Sequence, residues 1–229
     1  MSQVASKSAS PYGPEIDLWR DGLVVIGTDE AGRGPLAGPV VAAAVAFEPS
    51  VQLSGIGDSK TLTGKQREAL FDQICECCTA HSIVAVEADR IDQVNILQAT
   101  REAMAQAAND VRTRIGSEWP TLLVDGRIPL LGCGRQVNLI RGDSRSFSIG
   151  AASILAKVYR DRLMADLDRR YPEYGFSQHK GYPTAIHRSV LLAVGRSPIH
   201  RCSFTIEGHQ GERIAIGELP LAHPLGVDR

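Results

Sequence analysis

Two apolar runs, Leu23 to Ile26 and Val40 to Phe47, bracket a glycine-rich polar stretch that reads GTDEAGRGPLAGP from Gly27 to Pro39. This pattern predicts a β-hairpin with its chemistry at the turn. In a straight strand Asp29 and Glu30 point to opposite faces, so a shared site asks the backbone to swing there. Gly32 and Gly34 permit that swing and let a ligand approach the main chain. Further along, Thr63 is placed to cap a helix carrying Leu70 and Ile74, and the largely β-branched run Ile83 to Val86 predicts another strand. Asn95 is placed to cap a long helix whose Ile96, Met104, Ala107, Val111 and Ile115 fall near one face. Thr121 to Val124 reads as a short buried strand with Asp125 at its exit. Val137 to Ile140 is the last clear strand, followed by Arg141, Gly142 and Asp143.

From Ser146 to Tyr171 the pattern is helical, with Ile149, Ser153, Ile154, Lys157, Val158, Asp161 and Leu163 on one broad face. Arg160 and Asp161 read as surface or structural pairs. Whether Ser153 and Lys157 face a site or only the sheet stays open. Strands mixed with helices in this order predict an α/β fold with ligands at the strand ends. The chain divides into a flexible arm at 1–22, a catalytic domain at 23–171, a basic helical segment at 172–206 and an irregular or partly helical tail at 207–229.

At 229 residues the chain can bury one substantial core, and its net charge of −1 means that any binding of nucleic acid must be local. No run approaches the length of a membrane span and the first residues lack the apolar core of a signal peptide, which predicts a cytoplasmic protein. Five cysteines, an odd number, fit a reduced compartment better than a disulfide framework. Cys75 and Cys78 form a C-x-x-C without a second pair; with Cys77 they fall in a helical pattern and read as core or half-buried thiols.

Candidate chemistry gathers at the strand exits. Asp29 with Glu30, Asp125 and Asp143 leave three of them; on neighbouring strands such acids can converge on one pair of cations, and without a cation they repel. Hard oxygen donors of this kind suit Mg²⁺ or Mn²⁺. The G-x-G-x-x-G spacing of a dinucleotide loop fails here, and Pro35 and Pro39 interrupt any following helix. Arg33 offers a fixed cation suited to phosphate. Lys60, in a glycine-broken loop, reads equally as a phosphate contact or a surface lysine. From Tyr174 to Ile206 no acid occurs, while Lys180, Arg188, Arg196, Arg201, three histidines and the aromatics Tyr174, Phe176, Tyr182 and Phe204 do. Basic residues interleaved with aromatics suit a nucleic-acid strand. Together these residues point to a divalent-metal enzyme acting on a phosphodiester.

DEAGRGPLAGPVV resembles the signature of the ribonuclease HII family, and further matches follow in order: DSK at Asp58, NIL at Asn95, VDG at Val124, GDS at Gly142, AASILAKVYRD at Ala151 and YGFSQHKGYPT at Tyr174. The resemblance implies a ribonuclease H-like mixed sheet flanked by helices, with a small helical C-terminal portion. It implies an endonuclease that cuts the RNA strand of RNA/DNA hybrids and cuts 5′ of ribonucleotides embedded in duplex DNA, leaving 3′-hydroxyl and 5′-phosphate ends. By the same resemblance Asp29, Glu30, Asp125 and Asp143 hold two Mg²⁺ or Mn²⁺ ions. Gly32, Arg33 and Gly34 meet the ribose 2′-hydroxyl, and Tyr182 marks the RNA-to-DNA junction. Lys60, Ser144 and Lys180 complete the implied substrate contacts, in a protein expected to act as a monomer. Thr61, Arg141, Gly150 and Cys202 depart from the family's usual residues, and none of them is one of the four acids. A catalytically silent hybrid-binding module could lose an acid, and none is missing; a general metal phosphatase would need neither the GRG turn nor the basic aromatic run.

Overall fold

In the computed structural model, which describes residues 13–56, 62–118, 120–127, 129–208 and 210–222, seven strands and six α-helices alternate along the chain. They are α1 (Gly13–Arg20), β1 (Val25–Ala31), β2 (Val40–Ala46), α2 (Gly64–Cys77), β3 (Ala80–Val86), α3 (Ala88–Ile115), β4 (Thr121–Asp125), β5 (Gln136–Leu139), α4 (Phe147–Arg170), α5 (Phe176–His179), α6 (Ala185–Val194), β6 (Thr205–Glu207) and β7 (Arg213–Ala215). The main sheet has the order β3-β2-β1-β4-β5, antiparallel on the β3-β2-β1 side and parallel across β1, β4 and β5. This is the mixed sheet that the resemblance implies, within the α/β class that the strand pattern predicts.

The core follows from period two in β2, VVAAAVA, every residue of which is buried. Val41, Ala43 and Val45 face α4 and α2, meeting Phe147, Ala151, Ile154, Leu155, Leu70 and Ile74. Ala42, Ala44 and Ala46 face α3, meeting Ala103, Met104, Ala107 and Val111. Alanine buries less apolar area than the ~1.5–3 kcal/mol worth of a buried leucine or valine, but it lets the helices on both faces approach closely. The start of α4 comes closer still: a Cβ on Gly27 of β1 would lie 2.2 Å from the backbone carbon of Ser148.

Local signals explain most boundaries. Thr63 caps α2 in a reciprocal capping box with Gln66. Asn95 does cap a helix, its Oδ1 accepting the Leu97 and Gln98 amides at 3.0 and 3.1 Å. The cap lies inside α3, however, which starts at Ala88 and kinks where Asn95 takes φ 70°. Cys75, Cys77 and Cys78 are free and half-buried at the end of α2.

Two segments depart from expectation. Residues 13–20, within the expected arm, form α1, because Glu15 is buried and anchored on α4. Its Oε1 accepts the Ser146 hydroxyl and, at 2.9 Å, the Ser148 amide. Within the expected irregular tail, β7 pairs with β6, with Ile206 opposite Ile214, and buried Ile206 and Ile216 join Tyr174, Phe176 and Leu191 in a C-terminal core. Three-residue strands are too short for alternation to announce them.

Candidate active site

Parallel pairing aligns Thr28 of β1 with Val124 of β4, so Asp29 and Asp125 leave neighbouring strand ends on the same face. The β1–β2 ladder continues through Glu30↔Ala42 and Ala31↔Val41. The acids are therefore strand residues, and the expected swing of the backbone at Asp29 and Glu30 does not occur. By register Asp29 shares the α4 side with Ala43, and Glu30 the α3 side with Ala42. They meet electrostatically because both stand at the open end of the sheet.

Asp29 is only 6% exposed, and burial, then the charges of Glu30 and Asp125, hold its pKa well above the usual carboxylate value, opposed by a hydrogen bond from Ser153. Burial raises Glu30 as well, while Arg33, whose Nη1 lies 3.3 Å from Oε1, opposes the rise. Asp125 Oδ1 accepts the Gly142 amide at 2.6 Å. That bond ties β4 to the 3₁₀ turn Gly142–Ser144, which carries Asp143, itself buried.

Among the described residues no three acid, histidine or cysteine side chains are gathered closely enough to hold a metal ion as they stand. Each of three carboxylates is turned instead to a nearby donor: Asp29 to the Glu30 amide at 2.7 Å, Glu30 to Arg33, Asp125 to Gly142. The donor set itself, the carboxylate oxygens of Asp29, Glu30 and Asp125 at adjacent strand ends with Asp143 in the turn tied to Asp125, is chemically suited to a hard divalent cation.

Beside Glu30 opens a cleft of about 470 Å³ lined by Gly32, Arg33, Gly34, Arg67, Ser153, Lys157 and Tyr182. Ser153 and Lys157 thus face the site as well as the sheet. The Tyr182 ring stands next to the turn, since a Cβ on Gly34 would lie 3.6 Å from its Cε1. Gly32 has a different reason to be glycine. It takes φ 93°, and a Cβ there would lie 2.0 Å from Arg160 Nε, so the space is occupied from behind the turn.

Among the described residues, the other predicted contacts do not line this cleft. Ser144, in the same turn as Asp143, donates its hydroxyl to the Arg141 carbonyl at 3.0 Å. Lys180 takes φ 53° and its Nζ donates to the Ser177 carbonyl at 2.7 Å. Lys60 lies outside the described residues. Much of the expected basic patch is core: Tyr174, Phe176, His187, His200 and Arg201 are all buried. Arg160, expected in a surface or structural pair, is 1% exposed. Its Nε, Nη1 and Nη2 donate to the carbonyls of Pro39, Lys180 and Ala37 at 2.9, 3.0 and 3.2 Å. A signal for it existed, because Arg160 lies seven residues beyond Ser153 on one helical stripe.

A histidine relay supports Tyr182. The Ser197 amide donates to His200 Nδ1 at 2.9 Å, which assigns the His200 proton to Nε2 and directs it to His187 Nε2 at 3.0 Å. His187 Nδ1 is then the donor to the Tyr182 carbonyl at 3.0 Å. Burial lowers the pKa of His187 to about 4 and, with the His187 neighbour, that of His200 to about 3, so the relay is neutral.

Comparison with known proteins agrees with this geometry. The sequence profile of the family described as Ribonuclease HII matches residues 26–207. The chain is 48% identical over 200 residues to ribonuclease HII of Syntrophotalea carbinolica, covering 87% of this chain and 94% of that one. It is 51% identical over 181 residues to ribonuclease HII 1 of Methylibium petroleiphilum, covering 78% and 88%. The fold is similar to the crystal structure of ribonuclease H2 from Pyrococcus horikoshii, with TM-score 0.65, 28% identity and coverage of 80% and 94%. A matching profile across the sheet, the acids and the cleft, with relatives near half identity, makes this chain a member of the ribonuclease HII family and an endoribonuclease of the ribonuclease H class.

Proposed function

We propose that the enzyme hydrolyses the RNA strand of RNA/DNA hybrids and cuts on the 5′ side of single ribonucleotides in duplex DNA, leaving 3′-hydroxyl and 5′-phosphate ends. The observation that carries this reading is the cleft itself: Glu30, the Gly32–Arg33–Gly34 turn and the Tyr182 ring line one concave surface. A strand laid there meets carboxylates at its phosphate, backbone at its ribose and an aromatic face at the next sugar. The 2′-hydroxyl is the group that distinguishes RNA from DNA.

Asp29, Glu30, Asp125 and Asp143 would hold two Mg²⁺ or Mn²⁺ ions. Such ions supply activation of water on one side of phosphorus and neutralisation of the departing 3′-oxygen on the other. The chain's own residues do the rest. Ser153 orients Asp29 by its hydrogen bond, Arg33 and Lys157 bring positive charge to the cleft, and Tyr182 fixes where the ribose must lie.

Initial rates on matched all-DNA, all-RNA, hybrid and single-ribonucleotide duplexes test the proposal. Cutting of the hybrid and of the single-ribonucleotide duplex 5′ to the ribose, with the all-DNA duplex intact, is expected. Cutting of the all-DNA duplex at a comparable rate would sink it.

A further inference from the structure

Directly behind the glycine turn lie two guanidinium groups that the chemistry of the cleft does not use. Arg201 is 0% exposed and Arg160 is 1% exposed. Arg201 Nη2 and Nη1 donate to the carbonyls of Gly32 at 2.6 Å and Arg33 at 2.9 Å. Its Nε and Nη2 also donate to the Gly38 carbonyl at 3.0 and 2.9 Å. Arg160 holds the other end of the same loop through Ala37 and Pro39, and reaches the tyrosine loop through the Lys180 carbonyl. Every bond above is to a backbone carbonyl.

The arrangement has a geometric consequence. In a trans peptide the carbonyl of one residue and the amide N–H of the next point in opposite directions. With the Gly32 and Arg33 carbonyls drawn back onto Arg201, the amides of Arg33 and Gly34 point away from Arg201, and both residues line the cleft. Only an arginine fork can hold two successive carbonyls and a third across the loop at once; a lysine ammonium has the charge without the planar geometry. The same fork prevents either peptide from flipping, a motion that would present a carbonyl to the ligand and repel an electron-rich oxygen.

We infer that Arg201, braced by Arg160, is a positioning residue for ribose recognition: it locks the two peptide planes of the GRG turn so that their amides, not their carbonyls, face the sugar-phosphate strand. The inference rests on the proposed reading of that turn as the ribose reader. Positive charge behind the turn adds a field that favours the strand's phosphates, and Gly32 is glycine so that Arg160 can reach its place.

The test is binding, measured in EDTA so that no cleavage occurs. The probes are one duplex with a single ribonucleotide and the same duplex in all-DNA form, offered to wild type, Arg201→Lys and Arg160→Lys. Wild type is expected to prefer the ribonucleotide duplex. Arg201→Lys, if it melts near the wild-type temperature, is expected to lose that preference by about tenfold, on the order of one lost hydrogen-bond set, with little loss of affinity for the all-DNA duplex. Arg160→Lys should lose less. A folded Arg201→Lys that keeps the wild-type preference would overturn the inference and leave the ribose reading standing; no preference in wild type would overturn both. Should Arg201→Lys not fold, amide resonances in the wild-type protein decide. Larger shifts at Arg33 and Gly34 with the ribonucleotide duplex than with all-DNA support outward amides, and resonances unmoved by either duplex overturn them.

Discussion

The end of the sheet and the back of the glycine turn each gather buried like charges, and they satisfy them in opposite ways. At the sheet end, burial and then the charges of Glu30 and Asp125 hold the Asp29 pKa up, burial raises Glu30 against the pull of Arg33, and each of the three acids accepts from a nearby donor. Behind the turn, burial and then the Arg160 charge lower the Arg201 pKa, yet carbonyl dipoles fill every bond described for the two arginines. Burial moves the Arg201 pKa down to about 9 and that of Arg160 to about 10, so both stay charged at neutral pH. The first cluster, in the proposed reading, is completed by divalent cations. The second is complete already, and its task is to hold shape.

Removing an acid breaks the first cluster most severely. Asp125→Asn is expected to cut turnover in Mg²⁺ by on the order of 100-fold or more, the scale for loss of a group that meets transition-state charge, while hybrid binding persists as repulsion falls. Near-normal single-turnover rates in that variant would remove Asp125 from the metal site. Tyr182→Ala comes next. Loss of one stacking platform is worth ~1–3 kcal/mol, so cutting at an isolated ribonucleotide should fall about tenfold more than cutting within a long RNA stretch. A ratio of initial rates equal to that of wild type would leave the turn as the sole reader of the sugar.

Smaller effects are expected at the rim. Lys180→Ala and Arg188→Ala should weaken hybrids of every sequence alike and shallow the slope of log K against log salt by about 0.7–0.9 per lost phosphate contact. Loss confined to particular sequences would point to base readout instead. The smallest effect is on stability without metal. Because the folded protein holds the Asp29 proton more tightly than the unfolded chain, metal-free stability falls as pH rises from the ordinary value of 3.8 through the raised one. Asp29→Asn should flatten that fall in melting temperatures recorded in EDTA; an unchanged slope would show that Asp29 does not ionise as described. Its opposite is the histidine relay, whose depressed pKa values make stability drop as pH falls below the ordinary histidine value toward about 4 and 3.

How far the sequence revealed these two regions differs for a physical reason. Alternation in VVAAAVA, the Thr63 capping box and acids after apolar runs are local signals, and the strands, helices and strand-end carboxylates follow from them. The turn was legible as a site but not in its construction. Gly32 reads as room for a ligand, whereas its open side is filled by Arg160, 128 residues away in sequence. Arg201 reads as part of a basic face because nothing local marks a cation whose partners are carbonyls of residues 32, 33 and 38. Likewise, the adjacent acids suggested a bent backbone, while the unbroken ladder shows that the open end of a sheet lets opposite faces act together.

The anchoring of Glu15 on Ser146 and Ser148 bears on the order of events as the chain folds. The partners stand 131 and 133 positions apart, so the buried carboxylate of α1 gains its hydrogen bonds only once the start of α4 is in place, although Leu18 and Trp19 also pack on Val25 and Leu123. Contacts between such distant positions form late and slow folding. The same helix α4 also carries Ser153, Lys157 and Arg160, so the beginning of the chain and the centre of the site reach their final form together.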